Sequence, residues 1–284
     1  MTYEEKTRQY QQSHEREFAE AGRIYEAPFR IYGPLYYVGD RDVCVHLIDT
    51  GDGLLLIDAG FPENQALLVE NIFRLGFDPK YVRWILHTHG HFDHLGASSL
   101  FRKLYGTELA ISRVDAEYLK NQPETALGEW CATVTPKFAV PEEFQLLLED
   151  GEDYRFGNVT VHCRLVPGHT PGVMAFSFDV TEDGRTLRAG LVGGVGIYAV
   201  TRPFREHFGL RDSLPREMLA ALRALREEHV DIHLGNHAEN NDTLGKREKQ
   251  LKEGGNPFVD AAAWPAFLDG LMPKIEAIIE REGV

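Results

Sequence analysis

Between Leu86 and Leu95 the chain reads His87-Thr88-His89-Gly90-His91-Phe92-Asp93-His94, four imidazoles and a carboxylate in eight residues. Packing does not explain that density, because each such group costs free energy on burial unless something binds it. In an extended loop, residues two apart share a face, so His89 and His91 project together, Asp93 joins them, and His94 begins the turn into a helix. Gly90 leaves the backbone room between the two histidines. Neutral imidazole and carboxylate are the ligands that zinc prefers, at about 2.0 to 2.2 Å. Three ligands do not serve two metals, and further histidines are available at two strand ends. His169 lies in Pro167-Gly168-His169-Thr170-Pro171-Gly172, and His237 closes Leu234-Gly235-Asn236-His237. Strand-end loops are where layered α/β proteins build sites.

The elements that must hold these loops are legible in outline. Residues 29 to 58 alternate short apolar runs with Gly and Asp, a strand meander. Residues 62 to 75 have helical spacing, with Leu67, Leu68, Ile72 and Leu75 on one face and Gly76 as the stop. VRWIL at 82 to 86 reads as a buried strand leading into the histidines, a helix is expected over 95 to 105, and a strand over 107 to 112, a βαβ unit. Residues 121 to 143, with Pro123, Pro136 and Pro141, form a long irregular excursion of the kind that lines sites, where Trp130 and Phe138 are candidates for an apolar wall. Strands return at FQLLL, NVTVHCRLV, VMAFSFDV, TLRAGLV and VDIHL, and helices are expected at about 213 to 229 and 257 to 282. Residues 1 to about 22 read as a polar helical arm, peripheral or an oligomer contact. The whole, 1–284, reads as one domain of two sheets sandwiched by helices.

Composition narrows the partners. The 284 residues carry 30 Lys+Arg against 44 Asp+Glu, a formal charge of −14. That balance repels nucleic acid and anionic membranes, since no basic cluster offsets it. A small-molecule substrate is expected instead. Cys44, Cys131 and Cys163 are too few and scattered for a disulfide framework, no run of about eighteen apolar residues suggests a membrane span, and the amino terminus has no secretory apolar core. These features point to the cytoplasm. Of the remaining histidines, His46, His162 and His233 fall inside apolar strands and read as structural, His87 as a packing residue behind the loop, and His14, His207 and His229 as solvated.

HTHGHFDH, preceded by LLLIDAG and followed by PGHTPG, resembles the His-x-His-x-Asp-His signature and flanking motifs of the metallo-β-lactamase fold superfamily. The match runs from about residue 33 to 237, and the stretch from 70 to 101 looks most like the third subclass of zinc β-lactamases. The resemblance implies an αββα four-layer sandwich, two mixed sheets flanked by helices, with two zinc ions per chain, or iron or manganese in their place. It assigns His89, His91 and His169 to one metal, and Asp93, His94 and His237 to the other. Asp58 takes the place of an aspartate that buttresses the metal loop. The implied chemistry is hydrolysis of a cyclic amide, lactone, ester or related carbonyl compound by a metal-bound hydroxide, with Asp93 as catalytic residue.

Relatives of the lactonase and glyoxalase types carry a bridging aspartate where this chain has Arg188-Ala189-Gly190-Leu191-Val192-Gly193-Gly194, without a carboxylate. The departure favours the lactamase-like ligand set. Tyr198, Arg202, Asn240 and Asn241 are candidates for substrate contact, since they follow a strand end or the last ligand. The alternatives within the same fold are an iron-dependent, persulfide-oxidising oxidoreductase and a non-catalytic binding relative.

Overall fold

The computed structural model describes residues 1–20, 22–131 and 138–284. Its first sheet runs in the order β1 (Phe29–Tyr32), β2 (Leu35–Tyr37), β3 (His46–Asp49), β4 (Leu54–Ile57), β5 (Val82–Leu86), β6 (Glu108–Ser112) and β7 (Leu146–Leu148). Neighbours are antiparallel as far as β4 and parallel from β4 to β7. In the second sheet β8 (Asp153–Phe156), β9 (Val159–Leu165), β10 (Met174–Glu182) and β11 (Arg185–Val192) form an antiparallel meander, and β12 (Ile232–His233) adds parallel to β11.

Alternation along the strands sets the layers. Leu55 and Ile57 of β4 face Phe176, Phe178 and Val180 of β10 in the core between the sheets. Leu54 and Leu56 point the other way, onto α2 (Gln65–Arg74) and α4 (Ser98–Tyr105) through Leu68, Ile72 and Phe101. On the far side Ala175 and Val192 pack under α7 (Leu214–Arg226) and α9 (Ala263–Glu282). The result is an αββα sandwich. The helix α5 (Arg113–Asn121) covers the end of the first sheet with Leu119 against Leu95 and Ile111. None of the described helices is long and apolar enough to cross a membrane.

Three differences from the sequence pattern bear on the site. The helix expected over 95 to 105 is broken into α3 (Phe92–Leu95) and α4. The N–H groups of Gly96 and Ala97 leave the helix and donate to the carbonyls of Gly60 and Ala59 at 2.9 and 3.1 Å. Gly96 is required there, because a Cβ would collide with the backbone of Gly60 and Phe61. The break therefore docks the histidine loop onto the end of β4. In the excursion, residues 123–126 and 128–130 form short 3-10 turns and Trp130 is fully buried, while Pro136 lies outside the described residues.

The third difference is the amino-terminal helix. α1 (Tyr3–Glu17), capped by Thr2 and Glu5, is not a peripheral arm. It lies over the histidine loop beside α6 (Arg202–Phe208), with Tyr3, Phe92, Trp130, Phe204 and Phe208 in one cluster. His14, expected to be solvated, is 1% exposed and ringed by Phe18, Phe61 and Phe92. The sparse apolar positions of α1 suffice because they meet an aromatic layer rather than a sheet. A further helix, α8 (Thr243–Glu253), follows the last histidine loop. His46 and His233 are buried within their strands, whereas His162 is partly exposed and paired with Asp153 at 2.6 Å.

Because Phe178 is fully buried between Val161 and Ala189 at the centre of the inter-sheet layer, Phe178→Ala is expected to cost about 3 to 5 kcal/mol. Chemical denaturation measures this, and a loss under about 1 kcal/mol would contradict the packing described.

Candidate metal centre

The strand ends of both sheets deliver their polar residues to one edge of the sandwich. β5 ends in His87, whose Nδ1 contacts the Ala110 carbonyl at 2.8 Å and whose Nε2 contacts Ser98 Oγ at 2.7 Å. Both its nitrogens are engaged, so it braces the loop and ligates nothing. Extended alternation then carries His89 and His91 to one face, their Nε2 and Nδ1 atoms 3.1 Å apart. Alternation stops there: Asp93 and His94 reach the site from the first turn of α3, for which His91 is the N-cap. Gly90 serves a different contact from the one expected, since a Cβ would press on Leu119 rather than between the histidines.

His169 joins from the loop after β9, its ring 4.9 Å from that of His89 and 4.5 Å from that of His91. The rings of His94 and His237 lie 5.2 Å apart. Their Nε2 atoms sit 3.6 and 3.5 Å from Asp93 Oδ2. Two groupings result: His89, His91 and His169 with ligand atoms converging, and Asp93, His94 and His237 about one carboxylate oxygen, with His89 also in reach of Asp93 and His94.

The second nitrogen of each ring shows what the first is for. His94 Nδ1 donates to Asp58 Oδ2 at 2.8 Å, His237 Nδ1 to Asp42 Oδ1 at 2.9 Å, and His169 Nδ1 to the Gly196 carbonyl at 2.9 Å. His89 Nδ1 donates to Thr88 Oγ1, which donates in turn to Asp58 Oδ2. Four of the five rings thus commit one nitrogen to an acceptor and turn the other inward, the arrangement that orients histidine ligands. Asp58 holds this position with φ of 64°, a left-handed conformation that Asp tolerates better than most residues.

The electrostatics agree. Burial, reinforced by neighbouring imidazoles, holds His89 and His91 well below the ordinary histidine range, and burial takes His169 down to about 4. Neutral imidazole is the ligating form. For His237 burial pulls downward as well, but the hydrogen bond and charge of Asp42, with Asp93 and Glu239, outweigh it and raise the group to about 9. The corner around Asp93 thus calls for positive charge. His94 Nε2 is buried without a hydrogen-bond partner. Ligand atoms sharing one tetrahedral ion stand about 3.3 Å apart, close to the separations seen, so these residues fit a pair of metal ions.

Two carboxylates central to this design escaped the sequence reading. Asp42 meets His237 across 195 positions of chain. Asp115, on α5, accepts from Gly90 N–H at 2.9 Å, Thr170 Oγ1 at 2.6 Å and Gly172 N–H at 2.7 Å, tying the loops of His89 and His169 together. Burial raises its pKa to about 6, against the pull of those three donors. The Ser112-x-x-Asp115 spacing after β6 is a capping signature that marks the position, and Ser112 Oγ does cap Asp115 N–H.

The groups face a cavity of about 910 Å³ whose floor includes His91, Asp93, His169 and His237 and whose walls include Tyr10, Trp130, Ile197, Tyr198, Asn240 and Leu271. Of the substrate-contact candidates, Tyr198 and Asn240 lie here. Arg202 does not: it is exposed, and its backbone N–H and guanidinium bind Glu282 at the end of α9. Asn241 is buried and spent on structure, donating to the His233 carbonyl at 3.0 Å and accepting from Thr243. Phe138 contacts Phe92 from behind and lines a separate surface hollow. No side chain fits at Gly193 or Gly194, where a Cβ would strike Thr88 or the His169 ring, which explains the lack of a carboxylate after β11.

Replacing Asp115 with Ala strands three buried donors and unties the two loops, so divalent-metal affinity is expected to fall roughly 10- to 100-fold. Competition with a chromophoric chelator measures this, and unchanged affinity would show that the loops hold their places without the tether.

The family model described as the metallo-beta-lactamase superfamily matches residues 38–234. A probable metallo-hydrolase from Burkholderia pseudomallei is 33% identical over 144 residues, 43% of this chain and 46% of the relative. An N-acyl homoserine lactonase from a Bacillus species is 23% identical over 171 residues, 52% of this chain and 62% of the relative. The chain thus spans about half to under two thirds of the length of these curated relatives. Among solved structures, a subclass B3 metallo-beta-lactamase from a soil metagenome library superposes with a TM-score of 0.79 at 25% identity, covering 91% of this chain and 97% of that one. With the signature loop, the paired clusters and the sandwich in agreement with these findings, the chain belongs to the metallo-beta-lactamase superfamily.

Proposed function

We propose that the chain is a di-zinc hydrolase of small carbonyl compounds, with cyclic amides first among them and lactones and esters next. The observation that carries this is the pair of converging ligand groups, four of the five imidazoles held by acceptors behind them, at the floor of a cavity sized for a small molecule. The donor set of five imidazoles and one carboxylate, with no thiolate, suits zinc. Bound there, zinc supplies a water of lowered pKa and a Lewis acid for a carbonyl oxygen.

The chain's own residues do the rest. Asp93, whose Oδ2 lies between the Nε2 atoms of His94 and His237, would hold the second ion with them and leaves its other oxygen to take up a proton from the attacking water. Trp130, Tyr198 and Leu271 wall the cavity and exclude bulk water around the reacting carbonyl. Asp58 and Asp42 keep His94 and His237 in the tautomer that faces inward. The glycines at 193 and 194 leave this site without the bridging aspartate of the lactonase and glyoxalase types, which is the ground for placing amides first.

Purified protein is expected to contain close to two zinc ions per chain by elemental analysis and to hydrolyse at least one member of a panel of lactams, lactones, thioesters and phosphoesters. His89→Ala and Asp93→Ala should each lower kcat/KM for that substrate by roughly 10³-fold or more. Full activity after metal removal, or stoichiometric iron with visible absorption, would overturn the assignment.

A further inference from the structure

α1 supplies the active-site cavity with a charge that the metal-centred chemistry does not require. The cavity lining includes two lysines, Lys6 of α1 and Lys274 of α9. Lys274 is exposed at the outer rim, whereas Lys6 is half-buried, its Nζ 4.9 Å from the centre of the Tyr198 ring. That ring stands edge-on to His169 at 5.4 Å. Lys6 and His169 therefore flank the same ring, and all three line one cavity.

In a chain with 44 acidic residues against 30 basic ones, Lys6 makes no ion pair with a carboxylate among the described residues. The carboxylates that face the cavity are engaged or distant from it in role: Asp42 is bound to His237, Asp93 sits between His94 and His237, and Glu239 acts on the His237 side. Burial pushes the Lys6 ammonium below its ordinary range, the cost that a charge bears when it is removed from water and left without a partner. The aromatic face of Tyr198 offsets part of that cost.

We propose that Lys6 is the anion anchor of this site, so that its substrates are small carbonyl compounds carrying a carboxylate that pairs with Lys6 while an apolar body lies along Trp130, Tyr198 and Leu271. This rests on the hydrolase reading above and deepens it by naming the substrate class. Lys274 attracts the same anions from the rim and contributes less, because its charge is screened by water.

The test uses the full-length, zinc-loaded protein and two probes of one shape, 2-naphthoate and its neutral amide 2-naphthamide, with affinities from titration calorimetry. The wild type should prefer the carboxylate, and Lys6→Met should reduce that preference roughly tenfold. Any attraction of the metals for the carboxylate is common to both proteins and cancels in the ratio. Lys6→Arg, which keeps the charge, should retain most of the preference, and Lys274→Met should change it by no more than about threefold. An unchanged preference in Lys6→Met with native circular dichroism overturns the anchor, as does its loss in Lys274→Met alone. The two readings fail separately. A protein that hydrolyses no carbonyl compound but loses its carboxylate preference with Lys6→Met keeps the anchor and loses the hydrolase, and an active hydrolase with an indifferent Lys6→Met does the reverse.

Discussion

Five imidazoles and a carboxylate crowded into one buried corner is the constraint on which this structure turns. Such a cluster is unfavourable unless the rings stay neutral where they face each other and each inward nitrogen is left free for a cation. Four of the five rings turn one nitrogen inward by giving the other to a fixed acceptor: a carboxylate for His94 and His237, a carbonyl for His169, and the Thr88 hydroxyl for His89. The acceptors come from distant parts of the chain, so the fold must bring three strand ends and the loop before β3 to one edge before the site exists.

Much of the backbone detail near that edge follows from this demand. Asp58 adopts a left-handed conformation at the end of β4 and there serves Thr88 and His94 together. Gly96 lets α3 break away from α4 and lie against Gly60, and Gly194 lets the His169 ring pass close to the strand end. Asp115 then joins the loops of His89 and His169 through two backbone N–H groups and one hydroxyl. Rigid buried hydrogen bonds hold the ligands to the tolerance a metal requires, and the packed layers behind them limit relaxation.

The cover over the site follows other rules. α1 has a weak apolar face, yet Tyr3, Tyr10 and His14 find aromatic partners in Trp130, Phe92 and Phe61. The same helix sets Lys6 and Tyr10 on the cavity wall. A segment that reads as a peripheral arm or oligomer contact thereby becomes part of the cavity wall, and the cavity joins the Lys6 side chain and aromatic walls to a floor of imidazoles and a carboxylate.

The sequence by itself determined the strand order of the meander, the position of the histidine loop after β5, and the identity of His89, His91, Asp93, His94, His169 and His237 as the residues to watch. These are local properties: strand periodicity, turn residues, and chemical types too dense to be packing. Asp42, Asp115, Lys6 and the burial of His14 were decided by tertiary structure alone, and so was the removal of Arg202 and Asn241 from the cavity. Each of those depends on a partner far away in the chain, such as Glu282 for Arg202 or the His169 loop for Asp115. A side chain's role as acceptor, anchor or brace is set by which distant groups the layers bring within hydrogen-bond reach, and no local pattern encodes that distance.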